Sequence, residues 1–359
     1  MSSEVQAAKK LVLDYFKEME QCAPGEAEAV LSKYMAPNCD WEGSYPFMFQ
    51  NGAANVAKVF WKPLKEALRC MQRRMDVFMG GVAKDGKIWV ASMGQFMGLY
   101  DKELLNIRIT GKMQHLQYFE FNCVEDGRIT DSALFVDLLG FMREAGVSPL
   151  PFETGHYFVY PGPRDHNGLL FDEQPAEKAA AARQAVDNMI ADLDKQSSSG
   201  SFDTVPVERM RGYWTDDMIW YGPCGVGASF TIPRYLQQHS GPFRRYLDEK
   251  GYANADSCFL KKDAPGFAKR DRILKSEFAE GDFSVLYCNM RLTPLGGWLG
   301  LPGGGKNVPL HADLDFYYCK DGKISENWCY FDIPYYMACQ GVDIFERTAG
   351  IVNPQPIED

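Results

Sequence analysis

The spacing of apolar residues in the first half of the chain predicts helices followed by strands. Residues 7–20 place Leu11, Tyr15 and Met19 on one face at the helical period, and this pattern stops before Pro24. The other elements predicted for this half are helices at 26–34 and 53–68, and strands at 39–42, 74–82, 88–99, 113–124 and 129–138.

The second half repeats this order of helices and strands. Proline-containing segments at 148–151 and 160–163 mark a connector between the halves. Helices that lead into a sheet make an α+β domain, and such a curved sheet leaves a pocket against its helix. The predicted elements are helices at 179–193, 207–213 and 232–247, and strands at 218–221, 273–278, 283–292, 310–318 and 324–331. We therefore expect an α+β protein with two tandem cone-shaped domains, each a curved antiparallel sheet wrapped around N-terminal helices.

An internal repeat supports the tandem arrangement. Residues 126–129 read Asp-Gly-Arg-Ile and residues 321–324 read Asp-Gly-Lys-Ile, and each isoleucine is followed after eight residues by an aspartate, Asp137 or Asp332. A shift of 195 (321 minus 126, and 332 minus 137) superimposes the two segments. We expect domains at 1–148 and 178–359, joined by a connector at 149–177.

A second matched block lies upstream, at a different shift. A shift of 179 matches Tyr34, Trp41, Pro63 and Leu68 with Tyr213, Trp220, Pro242 and Leu247. The change from 179 to 195 implies 16 extra residues in the second copy, which we place within 251–268.

Composition and charge agree with two folded units. The chain has 359 residues, 46% of them hydrophobic, which suits two cores rather than one. The net charge of -10 disfavours a nucleic-acid partner, because nucleic-acid binding depends on basic surface. Apolar runs stay shorter than a membrane span, and the first residues lack the pattern of a secretory signal. We expect a cytoplasmic protein without a membrane partner. Formation of a homo-oligomer is compatible with the sequence.

The ten cysteines form no Cys-x-x-Cys pair, and the five histidines add no closely spaced cluster. In a cytoplasmic protein such cysteines are typically reduced and buried. We therefore expect neither a metal nor a cofactor.

An ordered series of residues in the second half resembles a SnoaL-like polyketide cyclase domain. This family belongs to the wider nuclear-transport-factor-2-like superfamily, with ketosteroid isomerase, scytalone dehydratase and limonene epoxide hydrolase. The first half resembles it more loosely, with Phe96 at the position of Arg291 and Ala133 at that of Trp328. The residues that carry the resemblance are Trp220, Tyr221, Gly222, Pro223, Pro242, Phe243, Arg291, Gly305, Lys306, Asp315, Phe316, Asp321, Gly322, Lys323, Ile324, Trp328 and Asp332.

The resemblance implies a cofactor-free aldol ring closure with an aspartate of the last strand as general acid/base. The matching positions are Asp332 and Asp137, and each follows an apolar strand segment. Burial there would raise the pKa of the carboxyl toward the range of a general acid/base. The alternative is that each aspartate caps the N-terminus of the helix that follows.

Alternation along the strand at 310–318 predicts that His311, Asp313 and Asp315 share one face. If that face is concave, the three side chains line a pocket and His311 lies close to Asp332 as a proton-transfer pair. If it faces outward, they form a solvated surface. In the first copy, His115 is the only close counterpart of His311, displaced by one residue.

Further candidates surround these groups. Arg291 lies mid-strand, where it would hold an anionic oxygen or form a structural ion pair. His239 either reaches over the pocket or lies on a helix face, and Trp298 lies in a glycine-rich loop that we interpret as a lid. The aromatic candidates for an apolar ligand site are Trp41, Tyr118, Trp220, Tyr221, Trp298, Trp328 and Tyr330, although core packing would also explain them.

The functional expectation is acid/base proton transfer on a hydrophobic, aromatic or polyketide-like small molecule, by aldol or retro-aldol reaction, dehydration or isomerisation. We expect Asp332 and His311 to act in the second domain, with Asp137 and His115 as the first-domain candidates. One alternative is epoxide hydrolysis by Arg291 with Asp315 and Asp332. The other is a non-catalytic binding or assembly module, because fold does not fix function.

Overall fold

The computed structural model describes residues 2–199, 207–236, 274–292, 298–301 and 308–348, with the side chains at 193–199, 274, 290–292, 298 and 309–310 excepted. None of the helices in these ranges is long and apolar enough to cross a membrane.

Helices come before and after each of two sheets. The predicted helix at 7–20 is longer than expected, and its buried face carries Val12, Tyr15, Phe16 and Met19 at the predicted spacing. The helices are α1 (Ser2–Gln21), α2 (Ala27–Tyr34), α3 (Ala53–Val56), α4 (Lys62–Ala67), α5 (Leu138–Glu144), α6 (Ala176–Ser199), α7 (Val207–Met210), α8 (Ile232–Tyr235), α9 (Ile333–Cys339) and α10 (Ile344–Thr348). Short helical turns lie at Pro24–Glu26, Ala57–Trp61 and Trp298–Gly300.

Two six-stranded sheets have the same topology. Their strand orders are β2-β1-β6-β5-β4-β3 and β8-β7-β12-β11-β10-β9. The strands of the first sheet are β1 (Met35–Gly43), β2 (Phe49–Asn51), β3 (Leu68–Val82), β4 (Ile88–Tyr100), β5 (Met113–Glu125) and β6 (Arg128–Val136). Those of the second are β7 (Trp214–Tyr221), β8 (Ala228–Phe230), β9 (Leu274–Glu280), β10 (Phe283–Leu292), β11 (Val308–Lys320) and β12 (Lys323–Phe331). The predicted tandem of α+β units is confirmed. The proposed insertion at 251–268 lies outside the described residues.

The repeated Asp-Gly pair is a hairpin turn in both units. Asp126 and Gly127 have φ of 49° and 69°, and Asp321 and Gly322 have φ of 52° and 73°. Two consecutive positive φ values are typical of the type I′ turn, which matches the twist of the strands it joins. The repeat signature therefore fixes the same β5–β6 and β11–β12 hairpin in each unit.

The expected antiparallel pairing holds for all but one strand pair in each sheet. β1 pairs in parallel with β6, and β7 pairs in parallel with β12. Each of these pairs joins the strand after the first helices to the last strand, so a long crossover through the rest of the unit connects them. The sheets are therefore mixed.

The two sheets pack against each other through aromatic side chains. Phe119 and Phe121 of β5 lie with ring centroids 6.0 and 5.4 Å from Phe316 of β11. Phe119 also lies 5.5 Å from Tyr330 of β12. Offset and edge contacts of this kind add to the free energy of burying the rings. One face of each sheet thus covers the other sheet, while the opposite face covers the helices of its own unit.

A buried ion pair joins the units at a second place. Lys9 of α1 donates to Glu280 of β9 over 2.6 Å, and the two side chains are 1% and 9% exposed. The other oxygen of Glu280 accepts from the Gly80 amide of β3 at 2.7 Å. Both oxygens of a buried carboxylate are satisfied by the first unit, so this pair is specific to the packed arrangement.

We predict that Glu280→Gln lowers the free energy of unfolding by roughly 3 kcal/mol, because a buried ammonium is left without its counter-charge. The measurement is urea unfolding. Asp14→Asn is the matched control, since Asp14 pairs with Lys10 on an exposed helix face, where ion pairs contribute little. Equal losses in the two variants would contradict the prediction.

Candidate functional site

The aspartate of the first repeat, Asp137, is an N-cap and also a contact between the units. One oxygen accepts from the Gly140 amide at 3.0 Å, which caps α5. The other accepts from the Cys224 amide of the second unit at 2.8 Å. The side chain is buried, and burial raises the pKa of its carboxyl to about 6, against the effect of these amide donors.

Asp332 makes the two equivalent contacts from the second unit: it caps a helix of its own unit and accepts from an amide of the first unit. It accepts from the Tyr335 amide at 3.1 Å, which caps α9, and from the Tyr45 amide of the first unit at 2.7 Å. The amides that cross between the units are related by the upstream repeat shift, since 224 minus 45 is 179. The two aspartates are related by 195. The repeat therefore produces two equivalent hydrogen bonds across an approximate twofold axis.

These contacts favour the capping alternative for both aspartates. Each carboxylate uses both oxygens on backbone amides, and Asp332 and Asp137 are 0% and 3% exposed. Burial raises the pKa of Asp332, while His311 and the two amides oppose that rise. A raised pKa alone therefore does not identify a catalytic acid here, because the cause is burial between packed units.

We predict that Asp137→Asn lowers the free energy of unfolding by about 1–3 kcal/mol, because an amide nitrogen would face the Cys224 donor and leave it unsatisfied. Urea unfolding measures the loss. Asp126→Asn, in the exposed hairpin turn where asparagine is well tolerated, is the control expected to keep wild-type stability. A stable Asp137→Asn variant would rule out the interunit role.

The predicted proximity of His311 and Asp332 is observed, but a third group lies closer. Nδ1 of His311 is 3.4 Å from Asp332, and Nε2 is 2.6 Å from Glu42 of the first unit. Tyr287 of β10 donates a short hydrogen bond to the second oxygen of Glu42. We call Glu42, Tyr287, His311 and Asp332 the interunit cluster. All four side chains are buried.

Two carboxylates hold His311 in its charged form. Burial lowers the pKa of the imidazole, but hydrogen bonds to Asp332 and Glu42 outweigh this effect and raise it to about 9. Burial also opposes ionisation of Glu42, yet the hydrogen bond from His311 brings the pKa of that carboxyl below its ordinary value. Glu42 and His311 therefore form a buried ion pair at neutral pH.

This pair predicts a pH dependence of stability. The raised pKa of His311 stabilises the fold fully below its unfolded value of roughly 6.5, and that contribution, on the order of 3 kcal/mol, is lost as pH rises through about 9. Urea unfolding between these pH values should show the loss in the wild type and a flatter profile in His311→Gln. Parallel profiles would contradict it.

A β-bulge separates His311 from the two aspartates that follow it. The register between β10 and β11 shifts between Cys288 and Met290, and Ala312 has a φ of 59°. His311 consequently faces the first unit, whereas Asp313 and Asp315 face the interior of the second. The prediction that all three share one face was therefore wrong, because alternation fails at a bulge.

The same register corrects the alignment of the two copies. Ser92 pairs with Glu120, and Leu286 pairs with Asp315, so β4 and β10 match at a shift of 194 (286 minus 92). Phe96 then matches Met290 rather than Arg291. Before the bulge β11 also follows 194, so His115 matches Pro309 and lies two residues from the position that matches His311. His115 is half-buried and lies 3.4 Å from Glu144.

The interior of the first unit is filled by a buried arginine. Arg73 of β3 donates to Glu120 of β5 over 2.7 Å, with side chains 4% and 1% exposed. The guanidinium lies 3.7 Å from the ring centroid of Phe16, 4.8 Å from Phe96 and 4.6 Å from Tyr118. Trp41 packs beside them on Phe60, at 5.6 Å. Tyr118 and Trp41 are thus core residues of a closed, charge-neutral interior.

The interior of the second unit has a different polar centre. Asp315 replaces Glu120 at the shift of 195, and its carboxylate accepts from Asn327 at 2.9 Å. Burial raises the pKa of Asp315, although hydrogen bonds from Asn327 and Cys329 oppose the rise. Asp313 is half-buried beside it, and the thiols of Cys288 and Cys329 lie 3.6 and 4.0 Å from its oxygens. We call Asp313 and Asp315 the carboxylate pair.

Aromatic side chains surround this pair on the helix side. Trp214 and Trp220 lie 5.9 and 5.8 Å from the ring of Tyr235. The phenol of Tyr235 is buried, which raises its pKa, and the charges of Cys329 and Asp315 raise it further. Trp220 was predicted to line the site, and it does lie in this interior.

Three other predicted ligand contacts lie on the opposite face of the sheet. Tyr221 stacks on Trp328 at 5.3 Å, and the indole of Trp328 donates to Pro161 of the connector at 2.9 Å. Tyr330 packs on Phe119 and donates to the Val136 carbonyl at 3.2 Å. Alternation along β12 explains this arrangement, because Asn327 and Cys329 face inward and their neighbours face outward.

Some predicted residues are only partly described or fall outside the described ranges. Arg291 lies on β10 opposite Pro309, and Trp298 lies in a short helical turn, but the side chains of both are among those excepted above. His239 lies outside the described residues. A divalent cation would find donors at Asp313, Asp315 and Cys329, whose ligand atoms lie within 4.8 Å of one another. A protonated, buried thiol is a poor ligand, and burial raises the pKa of Cys329.

Sequence reasoning missed Glu42, Tyr287, Asn327, Lys9 and Arg73 as members of these sites. Glu42 follows Trp41 in β1 with no feature that marks a partner in the other unit. Asn327 was detectable, since it shares its strand face with Cys329 and pairs in register with Tyr317, next to Phe316. The sequence around Lys9 and around Arg73 has no pattern that predicts a buried acidic partner for either residue.

No family model matches the chain, and no curated protein matches it. Solved structures similar to part of it include IdmH, a candidate polyketide cyclase from Streptomyces antibioticus, at 14% identity over 38% of this chain and 97% of that one, with a TM-score of 0.32. A candidate SnoaL-like polyketide cyclase from Jannaschia sp. CCS1 is 20% identical over 40% and 94%, with a TM-score of 0.33. An LEH-like epoxide hydrolase from M. tuberculosis is 13% identical over 39% and 90%, with a TM-score of 0.29.

Each match spans nearly all of the other chain and about the length of one unit of this one. Structures described as polyketide cyclases and as SnoaL-like are thus among the matches, and the two similar sheets of this chain fit a tandem arrangement. At these identities the likeness concerns the fold alone.

Proposed function

We propose that the second unit catalyses cofactor-free proton transfer on a hydrophobic, aromatic small molecule. The observation that supports this proposal is the carboxylate pair, which lies in the interior of the second unit near the rings of Tyr235, Trp214 and Trp220. Asp315 is 6% exposed, and its pKa is raised mainly by burial. Two neighbouring carboxylates with unequal surroundings are the arrangement that separates an acid from a base.

The surroundings assign different roles to the two members. Asp315 is the more deeply buried, and burial raises the pKa of its carboxyl, so we assign it as the acid that protonates a developing enolate oxygen. Asp313 is half-buried and has two thiols within hydrogen-bonding reach of its oxygens, so we assign it as the base. Abstraction of a proton next to a carbonyl and protonation of the oxygen are shared by aldol, dehydration and isomerisation reactions.

The first unit supports no such reaction. Glu120 occupies the position of Asp315, but Arg73 neutralises it, and aromatic rings enclose the guanidinium. The Glu120 side chain is 1% exposed and its ion-pair partner is this guanidinium, so the carboxylate is not accessible to a substrate. The first unit therefore acts as the structural partner of the second.

The hydrolase alternative receives less support. It needs Asp315 and Asp332 on either side of one water. Asp315 faces Asn327 inside the second unit, whereas Asp332 faces Tyr45 of the first unit. The sheet separates the two carboxylates, so they do not share a water.

The test uses 2-tetralone, a bicyclic aromatic ketone with exchangeable protons next to its carbonyl. Binding is followed by quenching of tryptophan fluorescence, and exchange of these protons in D2O is followed by proton NMR. We expect the wild type to accelerate exchange and Asp315→Asn to lower the saturated rate by on the order of 10²-fold or more, the usual contribution of a general acid.

Asp131→Asn is the matched control, because burial also raises the pKa of Asp131 to about 6 but this residue lies in the first sheet. Its exchange rate should equal that of the wild type. Binding without exchange above the buffer rate would overturn the proposal in favour of a binding module. If 2-tetralone does not bind, the proposed aromatic binding site is wrong. If Asp315→Asn exchanges the protons at the wild-type rate, the assignment of Asp315 as the acid is wrong.

A further inference from the structure

We infer that Glu42 of the first unit is a positioning residue for the carboxylate pair of the second unit and acts through His311. This inference rests on the proposed function. It concerns how the first unit contributes to that site, since its own interior is closed by Arg73.

The bulge in β11 is the element that Glu42 would control. Ala312 adopts a positive φ of 59°, a region that residues other than glycine rarely occupy. Its amide donates to the side chain of Asn289 at 2.7 Å instead of to the ladder. Such a conformation persists only when its surroundings enforce it. The residue on one side of this bulge is His311, and the residue on the other side is Asp313.

The interunit cluster enforces that conformation from two directions. Glu42 binds the imidazole of His311 at 2.6 Å, so the first unit draws His311 toward it. The amide of Asp332 donates to the His311 carbonyl at 3.1 Å, which fixes the backbone from β12. Without Glu42 the imidazole would keep one polar contact among the described residues, to Asp332 at 3.4 Å, beside its ring contacts with Phe49, Phe135 and Tyr335.

Each oxygen of Glu42 binds a residue that is close in sequence to Asp313 or to a neighbour of Asp313. One oxygen binds His311, which lies two residues before Asp313 on β11. The other accepts from Tyr287, which precedes Cys288, and the Cys288 thiol lies 3.6 Å from Asp313. Glu42 therefore holds two neighbouring strands at the level where their side chains meet inside the second unit. A shift of the bulge would displace Asp313 relative to Asp315.

The position equivalent to Glu42 in the second unit is Tyr221, since 221 minus 42 is 179. Tyr221 packs on Trp328, Tyr160 and Phe158, and within the described ranges no histidine makes a hydrogen bond or ring contact with it. The interaction is therefore one-sided, and it is directed from the first unit into the unit that carries the carboxylate pair. This direction agrees with the assignment of a single active unit.

The test compares Glu42→Gln with Glu280→Gln in the full chain. Both substitutions neutralise a buried glutamate in an ion pair between the units, but Glu280 pairs with Lys9 away from β11. With 2-tetralone as the probe, we expect Glu42→Gln to lower the saturated exchange rate roughly 10- to 100-fold, as for misplacement of a reacting group. Its dissociation constant should stay at the wild-type value. Glu280→Gln should exchange at the wild-type rate.

A second measurement does not depend on turnover. Carbon-13 NMR of protein labelled at the aspartate carboxyl carbons gives the titration of Asp315, assigned by the signal lost in Asp315→Asn. We expect this titration to move in Glu42→Gln and to stay unchanged in Glu280→Gln. An unchanged titration would overturn the inference whatever the exchange rates are.

The outcomes separate this inference from the proposed function. If the wild type exchanges and the two glutamine variants behave alike, the positioning role fails and the proton-transfer proposal stands. If the wild type does not exchange but the Asp315 titration responds to Glu42→Gln alone, the proton-transfer proposal fails and the coupling between units stands.

Discussion

The burial of both faces of each sheet is the constraint on which the rest of the structure depends. β12 is buried at every position after its first residue, and the central positions of β5 are buried as well. A sheet of this kind needs a cover on each side, and helices supply only one. The other unit supplies the second cover through Phe119, Phe121 and Phe316. The tandem repeat is therefore a single folded assembly, and neither sheet is complete without its partner.

The same constraint explains why the repeated residues are structural. The Asp-Gly turn sets the hairpin, and the aspartate eight residues after the isoleucine caps a helix and binds an amide of the other unit. Both tasks recur in each copy because the approximate twofold axis presents each copy with the same neighbour. Chemistry that differs between copies must then come from positions that differ. Glu120 beside Arg73 corresponds to Asp315 beside Asp313, and among the described residues Glu120 pairs with a guanidinium whereas Asp315 accepts from the side-chain amide of Asn327.

Much of the fold was predictable from the sequence, and less of the site. Periodicity located most helices and long strands of the described ranges, since local patterns determine them, but it missed the short strands β2 and β8 and the short helix α10. The parallel β1–β6 pair depends on contacts between distant segments, and no local pattern shows it. Alternation placed Asp313 and Asp315 together correctly but failed at His311, because one extra residue at Ala312 reverses the side-chain direction. Glu42 was missed since its partner lies in the other unit.

A buried ion pair between units costs desolvation free energy, so its net contribution to stability is small. Its effect on the structure therefore depends on which elements it joins. Lys9 with Glu280 and Glu42 with His311 both cross the interface, yet they meet different elements. The first pair meets β9 at the edge of the second sheet. The second meets β11 at its bulge, two residues before Asp313. An interaction that fixes a strained backbone next to the proposed base acts on geometry as well as on stability. Through Glu42 the first unit, whose own interior is filled by Arg73, thus contacts the strand that carries the carboxylate pair of the second unit.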